Sequence, residues 1–184
     1  SGTKNVSVGK DSMITNTTGS GNIAIGGFCL KLNTTADNNV AVGRSSMNVN
    51  TTGANNVAVG ASSLDANTTA SNNTAIGSSA LSANTTGTNT AVGSIALDAN
   101  TTGTANSAFG RDALGANTTG GSNVAVGQSS LANNTTASNN VAVGNSALLS
   151  NTTGAQNVAV GAFALDANTT ADSNTAVGHN SLTT

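Results

Sequence analysis

A glycine that recurs at a nearly constant interval constrains the fold of this chain more than any other feature. The residue numbers of successive copies differ by 17 in nine of ten cases and by 16 in the remaining case, between Gly77 and Gly93. The recurring glycines are Gly9, Gly26, Gly43, Gly60, Gly77, Gly93, Gly110, Gly127, Gly144, Gly161 and Gly178. Such a period is typical of a solenoid, in which no repeat buries its apolar face alone and stacked neighbours form one continuous core. We therefore expect a single repeat domain over residues 1–184, with about eleven coils of 17 residues, numbered here from the N terminus.

The segment before each glycine predicts a short β-strand. In coil 4, for example, Asn56 is followed by Val57, Ala58 and Val59, so β-branched residues alternate with a small one. This alternation indicates a strand with one buried face. We expect the Val side chains to face the core and the Ala side chains between them to face away from it, because successive side chains of a strand point to opposite sides.

Two columns of equivalent residues in successive coils follow from this strand. We expect the Asn column to be a structural ladder, in which each side-chain amide bonds to its equivalents above and below. The ladder comprises Asn22, Asn39, Asn56, Asn73, Asn89, Asn106, Asn123, Asn140, Asn157 and Asn174. The Ala column would form a smooth strip suited to close approach of an identical chain, so we predict it as the oligomer face. That strip comprises Ala24, Ala41, Ala58, Ala75, Ala91, Ala108, Ala125, Ala142, Ala159 and Ala176.

The segment after each glycine supplies the other half of the coil. Leu or Met stands four residues past every glycine, as at Leu64, and an Asn-Thr-Thr turn follows in ten copies. We expect a second strand here that faces the first, so that the chain forms an all-β, parallel β-solenoid shaped as a flat β-roll. A three-faced β-helix also fits this period. At ~4.8 Å per stacked coil, eleven coils would make a rod of about 50 Å.

Composition argues against several classes of function. Aromatic residues make up 2 % of the chain, charged residues 7 %, and the net charge is −2. Nucleic-acid binding is not expected, because there is no basic stripe and no aromatic platform. Membrane insertion is not expected either, because a spanning helix needs about 20 consecutive apolar residues and no apolar run approaches that length. His, Cys and carboxylate residues do not cluster, so we expect no metal, no cofactor and no enzymatic activity.

The chemically distinctive residues have structural explanations that we prefer. Asp65 and Asp98 lie two coils apart, about 9–10 Å, which is near the upper end of the carboxylate separation of inverting glycosidases. A polysaccharide-degrading solenoid is therefore one hypothesis for this chain, although we favour the interpretation that both Asp residues are solvated surface residues. Cys29 replaces Ser or Ala and is interpreted as a small core residue. Phe28 and Phe163 replace Ser, and we expect local packing for both.

Receptor contacts are expected among the residues that vary directly after the glycines. These residues include Lys10, Arg44, Arg111, Gln128 and His179. The sequence does not discriminate between them.

The strand units resemble the repeats of two kinds of fibre protein. Asn-Val-Ala-Val-Gly and Asn-Thr-Ala-Val-Gly are similar to the head repeats of trimeric autotransporter adhesins, which are left-handed parallel β-rolls packed as threefold trimers. The longer unit from Asn89 to Gly103, NTAVGSIALDANTTG, resembles repeats of bacteriophage tail fibres and related bacterial fibre proteins. The resemblance covers nearly the whole chain, and it implies a left-handed solenoid that assembles as a homotrimer.

The resemblance also implies a role and a location. We expect a segment of a longer fibre that provides length and attachment, either in a phage tail fibre or in a bacterial surface adhesin. Its partners would be a cell-surface glycan or protein receptor, and its location would be extracellular. The alternative is an ice-binding β-solenoid, because regular Asn and Thr ranks would repeat every ~4.8 Å along one face.

Overall fold

The computed structural model describes residues 2–183, in which one three-residue strand forms in each of the eleven coils. The strands are Val6–Val8, Ile23–Ile25, Val40–Val42, Val57–Val59, Thr74–Ile76, Thr90–Val92, Ser107–Phe109, Val124–Val126, Val141–Val143, Val158–Val160 and Thr175–Val177, labelled β1 to β11 in this order. They form one parallel sheet in chain order, and equivalent residues pair, as Ala41 does with Ala58. The prediction of an all-β parallel solenoid with 17-residue coils is confirmed.

Backbone hydrogen bonds connect neighbouring coils around the whole perimeter, not only in the sheet. In the strand, the Val57 N–H donates to the Asn73 carbonyl at 2.9 Å. In the following segment the Leu64 N–H donates to Ala80 at 3.0 Å, and in the Asn-Thr-Thr turn the Thr51 N–H donates to Thr68 at 2.8 Å. Each coil therefore satisfies the polar backbone of the next one, which a single coil could not do for itself.

The second strand of each coil, expected around the Leu column, does not form in the described residues. This segment is a series of turns in which alternate residues have positive φ, such as 53° at Ser62 and 51° at Leu64. A residue in this left-handed region cannot continue an extended strand. The prediction of a second sheet is therefore wrong, and the solenoid has one sheet closed by turns. Leu64 nevertheless points inward as expected and is fully buried.

The strand alternation is the reverse of the prediction. The side chain of Ala58 is 0 % exposed and belongs to the same apolar cluster as Leu64, while Val57 and Val59 lie on the outer side and are half-buried. The prediction that the Ala column faces away from the chain's own core as an oligomer face is wrong. Space explains the reversal: the Leu side chain fills the narrow interior of each coil, and the strand opposite can place only a methyl group there.

Coil 5, the one with the shorter interval, differs from its neighbours in the turn between Asn84 and Asn89. Asn67 and Asn84 are fully buried, but the Oδ1 of Asn67 and the Nδ2 of Asn84 have no hydrogen-bond partner. In the next coil the equivalent bond is made, from Asn100 Nδ2 to Asn84 Oδ1 at 3.0 Å. The missing residue therefore leaves every strand in register but interrupts one side-chain ladder.

Candidate functional site

Two ladders of buried Asn side chains run along the solenoid axis. In the column before the strands, Asn39 Oδ1 accepts hydrogen bonds from both the backbone and the side-chain N–H of Asn56, at 2.9 and 3.2 Å. In the column that begins the Asn-Thr-Thr turns, Asn67 Nδ2 donates to Asn50 Oδ1 at 2.8 Å. The two ladders meet at the Ala70 carbonyl, which accepts from Asn56 and Asn67 at 2.9 and 3.0 Å. The amides therefore hold the polar side of the core together and are not available to a ligand.

The burial of the second ladder also shows whether its Asn residues could be glycosylated. Asn-Thr-Thr fits the N-glycosylation sequence, in which the acceptor atom is the Asn side-chain nitrogen. At Asn50, Asn117 and Asn151 that nitrogen is inside a side chain with 0 % exposure and donates hydrogen bonds. These side chains are closed to modification in the folded chain.

One face of the sheet presents a continuous apolar column on the outside of the solenoid. We define the sheet face as the first and third residues of each strand, whose side chains point outward. Its column directly before the glycines is apolar in all eleven coils, and several members are well exposed, including Ile76 at 39 %, Phe109 at 41 % and Val126 at 37 %. Eleven strands at ~4.8 Å and two columns spanning about 14 Å with their side chains give a face on the order of 700 Å². The column of first strand residues is mixed, with Val or Ile in seven coils and Thr or Ser in four, so only part of this area is apolar. Continuous apolar patches of a few hundred Å² on a single chain often mark an interaction site.

The two Thr columns lie in the Asn-Thr-Thr turns, away from the sheet face, and only the second is exposed to solvent in every copy. The first Thr of the turn uses its hydroxyl within the fold, as Thr51 Oγ1 donates to the Thr68 carbonyl at 3.0 Å. The second Thr of the turn, such as Thr52 or Thr69, is exposed in all ten copies. The Asn ranks that the ice-binding alternative placed on the same surface are buried, so that part of the expectation is wrong. An exposed rank of Thr remains.

The Asp pair considered for glycan hydrolysis does not show the asymmetry that such a mechanism needs. Burial raises the pKa of Asp65, and burial with a smaller contribution from the nearby Asp112 raises the pKa of Asp98. An inverting pair combines a carboxylic acid of raised pKa with a second carboxylate that stays ionised. Here burial moves the pKa values of both carboxyl groups in the same direction, so the two environments do not assign one group as acid and the other as base.

Asp65→Asn is expected to stabilise the protein at neutral pH. One carboxylate oxygen of Asp65 is buried without a hydrogen-bond partner, as is the Oδ1 of Asn48, which holds the same position in the preceding coil. An amide at position 65 would carry no charge and could donate to Asn48. Because the folded pKa of Asp65 is raised, the wild-type protein is most favoured below the unfolded pKa, near 3.9, and loses this stability as pH rises through the folded value.

The urea midpoint of the Asp65→Asn variant should therefore exceed that of the wild type at pH 7, and the difference should shrink on acidification below pH 4. Asp37→Asn is the matched control, because the Asp37 carboxylate already accepts the Ser20 N–H at 2.6 Å. An Asp65→Asn midpoint at or below the wild-type value at pH 7 would contradict the expectation.

The remaining residues singled out by the sequence separate into buried and exposed groups. Cys29 is fully buried, its thiol donates to the Gly43 carbonyl, and burial raises its pKa, so it is a core residue. The ring of Phe163 meets the His179 ring edge-on at 6.1 Å. The sequence reasoning missed the pairing of Lys31 with Phe28, whose ring lies 5.4 Å below the Lys31 ammonium. The three-residue spacing of that pair was the available signal.

No group of three or more His, Cys, Asp or Glu residues that could hold a metal ion occurs in residues 2–183. Within the same part of the chain, no helix is long and apolar enough to cross a membrane. No protein-family model, no curated protein and no solved structure matches the sequence.

Proposed function

We propose that this chain is a structural and attachment segment of an extracellular fibre, of the kind found in phage tail fibres and bacterial surface adhesins, and that three copies assemble side by side through the sheet face. The observation that carries this proposal is the continuous apolar column on that face, from Val8 to Val177. Its burial would make the rod thicker and stiffer than one narrow solenoid.

The size of the sheet face supports a stable assembly. In a cyclic trimer each chain divides the ~700 Å² of its sheet face between two neighbours, so the three copies together bury on the order of 2,100 Å² by their strand spacing, spread over three contacts, each smaller than a standard two-chain interface. The column before the glycines contains no charged residue, and depletion of charge is the compositional mark of an interface core. Parallel copies in the same axial position would bring equivalent strands to the same level, so apolar contacts would repeat in every coil. The resemblance to threefold adhesin heads is the reason for three copies.

The stacked backbone supports the mechanical part of the role. Each coil contacts only its neighbours, and the same hydrogen bonds repeat from coil to coil along the axis. The length of the rod is therefore set by the number of coils. Attachment would use side chains outside the repeating columns, because the Asn, Ala and Leu columns are committed to the interior.

Light scattering on the intact chain tests the assembly. We expect a mass near three chains, and we expect a triple variant with Ile76→Lys, Val126→Lys and Val160→Lys to be monomeric while keeping its β-sheet circular dichroism. Three charges cannot be buried in an apolar contact without partners. The matched control carries Thr69→Lys, Thr86→Lys and Thr119→Lys in the exposed Thr column, and it should assemble as the wild type does.

A wild-type protein that stays monomeric at high micromolar concentration would overturn the assembly. A monomer that also showed thermal hysteresis would favour the ice-binding alternative, with the exposed Thr column as its ice-facing surface.

A further inference from the structure

The cations of the chain are concentrated at one end of the solenoid. Four of the five Lys and Arg residues lie within residues 1–44, whereas Arg111 is the fifth. Lys4, Lys10, Lys31 and Arg44 against Asp11 and Asp37 give this segment a charge of +2, while the rest of the chain carries −4. An anionic partner would therefore be attracted to coils 1–3 and repelled by the other coils.

One of these cations lies over an aromatic ring, and two others lie in the coils on either side of it. Lys31 places its Nζ 5.4 Å from the centroid of the Phe28 ring. Lys10 and Arg44 occupy the position directly after the glycine in coils 1 and 3, and both are exposed. The coils are in register at this point, because the Phe28 N–H donates to the Lys10 carbonyl at 2.9 Å. We call Lys10, Phe28, Lys31 and Arg44 the Phe28 patch.

A glycine leaves open space in the middle of the patch. Gly27 stands between Lys10 and Arg44 in the same column, and a Cβ added there would meet only the Lys10 carbonyl oxygen, at 3.8 Å. Two coil steps separate the Cα atoms of Lys10 and Arg44 by about 9.6 Å. The surface is thus a shallow gap with a cation on each side and an aromatic ring beside it.

The charges of the patch reinforce one another. Lys10, Lys31 and Arg44 against the neighbouring Asp11 leave a local charge of +2. Lys10 and Arg44, about 9.6 Å apart, lie slightly beyond the Debye length of ~8 Å at physiological ionic strength, so their joint attraction for an anion is strongest at low salt. Arg also binds carboxylate and sulfate-like groups through two parallel hydrogen bonds.

The backbone at Phe28 is unusual for an aromatic residue. Its φ is 64°, in a region where bulky side chains are strained. Ser fills this position in five other coils, so the fold does not require a ring there. The equivalent residue has positive φ in every coil, so this conformation belongs to the fold, and it is the ring that distinguishes Phe28 from Ser at this position.

We propose that the Phe28 patch binds an acidic polysaccharide, carboxylated or sulfated, and so provides the receptor contact of the attachment function, on which this inference rests. A sugar ring would lie against Phe28 above Gly27, and its anionic groups would pair with Lys10 and Arg44. Single-stranded nucleic acid fits less well, because it is usually held by several aromatic residues that stack successive bases, whereas this patch has one ring.

Binding of dextran sulfate and polygalacturonate to the full chain, with neutral dextran as the reference, tests the proposal. We expect both polyanions to bind and neutral dextran not to bind. The double variant Lys10→Ser with Arg44→Ala should weaken binding at least about tenfold, and it should lower the slope of log affinity against log salt by about one for each cation removed. Phe28→Ser should weaken binding several-fold without changing that slope.

The chain supplies its own matched controls. Arg111 holds the same position in coil 7 as Lys10 and Arg44 in coils 1 and 3, and Phe163 holds the same position in coil 10 as Phe28 in coil 2. Arg111→Ala and Phe163→Ser should leave the affinity unchanged. Equal losses from Arg111→Ala and from the double variant would overturn the proposal, as would tighter binding of oligo(dT) than of the polysaccharides.

Mass measurements on the same samples separate this inference from the proposed function. A trimer that binds neither polyanion would overturn the Phe28 patch and leave the fibre assembly standing. A monomer that binds through the patch would overturn the fibre assembly and leave the Phe28 patch standing.

Discussion

Gly60→Ala is expected to destabilise the solenoid by at least about 4 kcal/mol, an effect in the diagnostic range for a single substitution. The backbone of Gly60 has φ 137°, which side-chain-bearing residues rarely adopt. A Cβ on Gly60 would also lie 2.3 Å from the carbonyl oxygen of Gly77 in the next coil. That oxygen belongs to the stacked backbone, so the clash can be relieved only by moving two coils apart and losing hydrogen bonds between them.

Two other glycines separate the contributions of strain and clash. Gly178 has a similar φ of 126°, but a Cβ there would have no neighbour nearer than 4.0 Å. Gly27 has neither a positive φ nor a close neighbour. Urea unfolding followed by circular dichroism should rank the losses as Gly60→Ala, then Gly178→Ala, then Gly27→Ala with almost no loss. A Gly60→Ala midpoint equal to that of Gly27→Ala would show that the coils are not held this closely.

Ala58→Glu is expected to abolish the native fold. The Ala58 methyl group is fully buried against the Leu column, and a carboxylate placed there would have neither water nor a cation as a partner. Its side chain is also too large for a core that accepts only a methyl group at this position. The expected result is loss of the β-sheet signal at 25 °C or a fall in stability of more than about 4 kcal/mol.

The matched control for Ala58→Glu is Ala61→Glu, three residues later on the exposed surface. It should change the stability by less than about 0.5 kcal/mol, as surface substitutions usually do. A well-folded Ala58→Glu protein that is monomeric would instead place the Ala column at an oligomer contact, against the burial seen in the structure.

The features of the fold that depend on period alone were predictable. The glycine interval located every strand, and the in-register pairing follows from it, because equal intervals bring equivalent residues opposite each other. The inward position of Leu64 was predictable as well, because Leu has no other reason to recur once per coil in so polar a chain.

The direction of the strand alternation was not predictable from hydrophobicity. Val57 and Val59 are more apolar than Ala58, and the usual reasoning places the more apolar residues inside. The interior width of the coil reversed that choice, and this width depends on the positive φ values at Ser62 and Leu64, which propensities do not favour at those residues. The same turns explain the missed second strand.

The sequence indicated two residues of the Phe28 patch but not that they lie near each other. Lys10 and Arg44 stand among the variable residues after the glycines, but nothing in the sequence connects them, because they belong to different coils with a third coil between them. Two coil steps join them in space, and the conformation of the turn between Phe28 and Lys31 decides where the ammonium lies.

The one aromatic side chain of the sheet face has a consequence for how identical rods align. Sliding one copy along another by a single coil brings nearly the same side chains into opposition, and the short coil does not change this, because every strand stays in register across it. Phe109 ends this translational equivalence, because it is 41 % exposed in a column where the other ten coils carry Val or Ile. One larger side chain thus distinguishes the true axial alignment of copies from the shifted ones that a uniform column would accept.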